Sequence, residues 1–226
     1  ISIFVLATQL NLYHDNVATD SYPVFTLGSG SGGSGAGSSG SGGGLSVSGD
    51  LTINGSNIVS NTAGFGGGVY HNNGEYIITS TTIDGNHAHG NGGGILTSGN
   101  GSMDQTYVLN NTADGDGAGF YGNGDVLITY SQINDNIASI NGGGLYWDSG
   151  QMTVQRTDIR RNQAAVGGGA YINAENPIFQ FDVIANNHAT SNGGGFFITK
   201  NSTLPSTPII FNSTLVYNTA TVLGSG

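Results

Sequence analysis

The sequence predicts an all-β fold, a right-handed parallel β-helix (solenoid) of about seven to eight coils of about 25 residues, and three features in register predict it. An Asn-x-Ala tripeptide recurs along the chain, an apolar residue stands three positions before each of its asparagines, and a glycine-rich triplet follows. The tripeptides begin at Asn16, Asn61, Asn86, Asn111, Asn136, Asn162, Asn187 and Asn218, with steps of 25, 25, 25, 26, 25 and 31 residues from Asn61 onward. Eight of the 15 alanines fall in this one register, so the repeat organises the whole chain.

The apolar residues before the asparagines are Tyr13, Ile58, Ile83, Val108, Ile133, Ile159, Ile184 and Leu215, which anchors one side of each tripeptide in a core. The triplets are Gly66 to Gly68, Gly92 to Gly94, the variant Gly117-Ala118-Gly119, Gly142 to Gly144, Gly167 to Gly169 and Gly193 to Gly195. Between these marks, residues 76–83, 126–133, 152–159 and 178–184 are β-branched, aromatic and roughly alternating, as strands with one buried face are. A unit of 25 residues with two or three such strands cannot bury its own apolar face. It must stack on its neighbours, strand on strand, at about 4.8 Å per coil.

In such a stack the eight asparagines form a structural ladder whose side-chain amides donate and accept along the axis. The alanine faces inward at a tight corner, and the glycines supply positive φ or close backbone approach at the next bend. All three signatures are accounted for by structure alone.

The pairing of Ile-x-x-Asn (Ile58 to Asn61, Ile83 to Asn86, Ile159 to Asn162) with Gly-Gly-Gly-apolar (Gly66 to Val69, Gly92 to Ile95, Gly142 to Leu145) resembles the polymorphic outer membrane protein repeat. That family pairs Phe-x-x-Asn with Gly-Gly-Ala-aliphatic; here an aliphatic residue replaces the Phe and a third Gly the Ala. The resemblance covers nearly the whole chain. It implies a secreted or surface-exposed adhesive or structural solenoid, related in shape to the pectate-lyase-like β-helices.

Residues 1–226 read as a single solenoid domain with one Gly/Ser-rich loop insertion at about 20–41, where the run Gly28 to Ser41 holds only Gly, Ser and one Ala. The insertion ends in phase, since 19 residues separate Gly42 from Asn61 as they do, to within one, in most other coils. The start at Ile1 and the uncapped ends suggest a section of a longer protein whose ends meet further coils or neighbouring subunits.

Chemistry is sparse. Four basic residues stand against fourteen acidic ones at a pI near 4.4, which disfavours nucleic acid and anionic membrane surfaces as partners. No apolar run approaches a membrane span, and the absence of cysteine rules out disulfides and thiolate metal sites. Asp114, Asp116 and Asp125, with Asp135 and Asp148 in later coils, are the nearest approach to a carboxylate cluster, and they keep no common register. A Ca²⁺ ion in a turn there is the one cofactor they suggest; no catalytic residues and no other metal site are expected. His87 and His188 occupy equivalent positions about 19 Å apart at the usual strand spacing, too far to share an ion. The threonines around Thr79 and Thr129 are too irregular for an ice-binding face.

Five Asn-x-Ser/Thr sequons, at Asn54, Asn100, Asn110, Asn201 and Asn212, are candidate glycosylation sites. Asn100 and Asn201 each lie eight residues after the start of a triplet, in equivalent exposed turns. The expectation is therefore a non-enzymatic, extracellular or cell-surface structural or adhesive solenoid, a subunit or segment of a surface filament. Its partners would be its own copies end to end, other surface proteins, or glycans. The alternative is a polysaccharide-active (lyase-like or hydrolase-like) or carbohydrate-binding β-helix, the latter using aromatics such as Tyr146 and Trp147.

Overall fold

A computed structural model of the chain describes residues 3–4, 11–13, 40–199 and 207–222, and they form a parallel β-solenoid with no helix among them. One coil shows the plan: strands Ile95–Ser98, Gly101–Asp104, Tyr107–Leu109 and Thr112–Ala113 follow one another around the four sides. Each pairs in parallel with its equivalents one coil before and one coil after, at matched register. Among the described residues the four resulting sheets hold seven, eight, eight and seven strands.

The expected two or three strands per unit thus become four, and the stretches read as single strands are each split in two. The breaks fall at Ser80, Tyr130, Arg156 and Phe181, all with φ between +48° and +59°. A single left-handed residue turns the chain through a corner, so strands of two to four residues fit on each side of it. A second set of such corners lies immediately before the ladder asparagines, at Ser60, Gly85, Asn110, Asp135, Arg161, Asn186 and Tyr217. The glycine triplets make a third; Gly92, at φ +72°, stands for the first residue of each.

About six turns separate Asn61 from Asn218, spanned by ladder steps of 25 or 26 residues and a final one of 31. The count of seven to eight coils includes the coil of Asn16, which itself lies outside the described residues, as does the Gly/Ser-rich run up to residue 39; strand Asn11–Tyr13 is described and pairs with Asn57–Val59 with Leu12, not the expected Tyr13, opposite Ile58.

Alternation within each short strand sends every second side chain inward, and these merge into one continuous core from Leu45 to Ile184, with Phe196 and Ile198 packed against its far end. Trp147, Tyr76, Phe120, Phe179 and Met103 fill its centre. The alanines Ala113, Ala138 and Ala164, with Ala118, form a narrow second cluster at the corner between ladder and triplet. There the third glycine of each triplet lies against the ladder: a Cβ at Gly94 would sit 2.9 Å from Asn111 Nδ2.

Candidate functional site

The polar groups of the chain are arranged in axial lines. Seven of the eight predicted ladder asparagines, Asn61 to Asn218, are buried and joined. The Oδ1 of Asn111 accepts from the backbone N–H of Asn86 at 2.9 Å and from its Nδ2 at 3.0 Å, and the pattern repeats at every step. The same Asn111 donates from Nδ2 to the carbonyl of Ile83, as Asn136 does to Val108 and Asn218 to Ile184. The apolar residue of the repeat therefore has two tasks: its side chain enters the core and its carbonyl receives the asparagine of the next coil.

A second buried line went unread in the sequence. Ser56, Thr81, Thr106, Ser131, Thr157, Asp182 and the half-buried Ser213 occupy one register just after the first set of corners, and hydroxyls of this line donate to the carbonyl two residues back. Asp182 is its one carboxylate among the described residues, and burial raises its pKa to about 6. Thr81, two residues from the Thr79 considered for an ice-binding face, belongs to this interior line.

The acidic residues go to separate partners. Asp116 and Asp125 accept backbone N–H groups of the following coil, from Asn141 at 2.9 Å and Gln151 at 2.8 Å. Asp135 holds Arg161 through two bonds of 2.7 Å, and Asp148 takes the amide of Asn173 at 3.3 Å. Among the described residues, Arg160 pairs with Asp158 at 3.0 Å, and Arg156 lies between the rings of Tyr130 and Phe181.

Aromatic side chains form an outer line. Tyr121, Tyr146, Tyr171 and Phe197 stack at centroid distances of 4.8, 5.0 and 5.3 Å, so both faces of Tyr146 are covered by neighbouring rings. Trp147 is not the exposed aromatic anticipated. Strand alternation turns it inward next to outward Tyr146, and its Nε1 donates to Gly124 O at 2.9 Å. The sequons Asn54, Asn100, Asn110 and Asn212 are all exposed; Asn201 lies outside the described residues.

Among the described residues one cluster of titratable groups does converge. His87 and His89 flank inward Ala88, so both imidazoles leave the outer face, and Asp114 stands one coil above His89. His89 Nδ1 lies 3.3 Å from His87 Nε2 and 3.3 Å from Asp114 Oδ2, and His87 Nε2 lies 3.8 Å from the same carboxylate oxygen. The other ring nitrogen of His87 meets the hydroxyl of Thr112 at 2.9 Å. Partial burial lowers the pKa of His87, opposed by the charge of Asp114 and reinforced by His89. The comparison of His87 with His188 passed over this group, because its members occupy unlike positions of the repeat. The readable signal was His-x-His on a strand with Asp one period after the second histidine. Compared with protein-family models, curated proteins and solved structures, the chain has no match in any of the three.

Proposed function

We propose that the chain is a structural or adhesive β-solenoid of the extracellular space or cell surface, a segment of a filament or appendage. The observation that carries this reading is the unbroken asparagine ladder. Where the period lengthens to 31 residues, Asn187 still reaches Asn218 at 2.9 Å, and the extra residues fall in the sequence between Ile198 and Ile209. Axial register is kept although the period changes, as suits a chain whose work is to extend a stack.

Ile210 pairs with Phe179 and Leu215 with Ile184, so the register of the core is kept into the last described coil.

Sedimentation and negative-stain electron microscopy of the purified chain test the proposal. Rods of constant width that lengthen with concentration are expected. A particle that stays monomeric at every concentration overturns the filament reading, and antibody that fails to label intact source cells overturns the surface location.

A further inference from the structure

We propose that His87, His89 and Asp114 form a surface site for one divalent cation of the zinc class. The inference is independent of the filament reading. Two imidazole nitrogens and one carboxylate oxygen are the donor set that borderline cations take, whereas Ca²⁺ and Mg²⁺ require oxygen shells.

The geometry matches the ion. The triangle set by the donor separations of 3.3, 3.3 and 3.8 Å has a circumradius of about 2.0 Å, the length of a zinc–nitrogen or zinc–oxygen bond. An ion slightly to the solvent side of that plane contacts all three donors and keeps a fourth position for water. Side-chain exposures of 30% for His87, 48% for His89 and 58% for Asp114 leave that position accessible.

Thr112 supplies the outer shell. Its hydroxyl lies 2.9 Å from Nδ1 of His87, and as acceptor of Nδ1–H in the loaded site it would leave the lone pair on Nε2, the atom that faces the cluster. The backbone supplies rigidity, because His87 and Thr112 are paired residues of adjacent parallel strands. An ion held here joins two successive coils from outside.

The fold contains its own control. His188 meets Thr219 at 2.9 Å just as His87 meets Thr112, but Thr190 and Thr221 stand where the second histidine and the aspartate would be. The imidazole–threonine pair thus occurs without the cluster, and His188 has no reason to bind the ion.

Calorimetric titration of the untagged, chelator-stripped chain with Zn²⁺ at pH 7.5 tests the site. One saturable equivalent is expected, with no comparable binding of Mg²⁺ or Ca²⁺. His87→Ala, His89→Ala and Asp114→Asn should each weaken binding at least tenfold, while His188→Ala leaves it unchanged. Co²⁺ in place of Zn²⁺ should give visible absorption of a low-coordinate site, lost in His89→Ala. All four variants alter partly exposed side chains, and circular dichroism checks that each retains the fold. Absence of saturable Zn²⁺ binding, binding indifferent to the three cluster substitutions, or an equal loss in His188→Ala overturns the proposal.

Discussion

Oδ1 of Asp182 accepts the backbone N–H of Thr157 at 2.8 Å, in a buried line whose other described members are serines and threonines. Its Oδ2 has no partner among the described residues, and burial holds the carboxyl at a pKa of about 6 against an ordinary 3.8. The folded state therefore holds this proton more tightly than the unfolded chain does. The cost of ionising it in the fold is therefore absent below pH about 4, grows as pH rises to about 6, and stays in full above that. Asp182→Thr, matching Thr157, should add about 2–3 kcal/mol at pH 7 and almost nothing at pH 4. Urea denaturation of both proteins at the two pH values checks this; an equal difference at both excludes titration as the cause.

The asparagine ladder should be costly to interrupt. Asn111→Ala leaves the amide groups of Asn86 and the carbonyl of Ile83 without their partner in a buried setting. At about 1–3 kcal/mol for each buried group left unpaired, the loss should reach about 3–6 kcal/mol. Thermal unfolding of Asn111→Ala should come well below that of Asn110→Ala, whose side chain is exposed one residue away. Asn110→Ala carries two smaller costs of its own, a left-handed φ of +52°, where Ala costs about 1 kcal/mol, and loss of the exposed bond from Nδ2 to Asp84 Oδ1 at 2.8 Å.

The parallel solenoid, its period and the line of asparagines were legible because each rests on one residue type repeated in one register. The four-sided cross-section was not. Glycine, Asn or Asp turns some of its corners, but others are turned by Ser60, Gln105, Tyr130, Arg156, Arg161 and Phe181, residues that ordinarily avoid positive φ and give no sign of a turn. They are held there by the strands on either side, so the constraint is tertiary. Trp147 was misplaced because in strands of three residues a shift of one position exchanges inside for outside. The histidine cluster was hidden for a different reason: repeats invite comparison of like positions, and its donors come from unlike ones.

Glycine at the third triplet position is required by close approach. A Cβ on Gly94 would fall 2.7 Å from Gly119 O and 2.9 Å from Asn111 Nδ2, both fixed by the ladder and the next coil. Gly94→Ala should therefore destabilise by about 2–4 kcal/mol through overpacking and distortion of the ladder. Ala118, buried at the second triplet position against Ala113 and Ala138, should lose only about 1 kcal/mol on change to Gly. Denaturation midpoints that place the two variants in the reverse order would show that the triplet does not limit the spacing of coils.

Trp147 gives a spectroscopic view of the same stack, since it is the only tryptophan of the chain. Its indole fills the space opposite Gly122, meets Phe120 edge to face at 5.4 Å, and bonds to Gly124 O at 2.9 Å. The native emission should be blue-shifted and should move to the red in a single step with loss of the coils around it. Trp147→Phe keeps most of the apolar contact but leaves the Gly124 carbonyl short of a donor, for a loss of about 1–2 kcal/mol. Trp147→Ala empties the core at that level and should cost about 3–5 kcal/mol. Followed by circular dichroism, the two variants separate the hydrogen bond from the packing. Equal losses would mean that the bond to Gly124, not the volume of the ring, holds this coil.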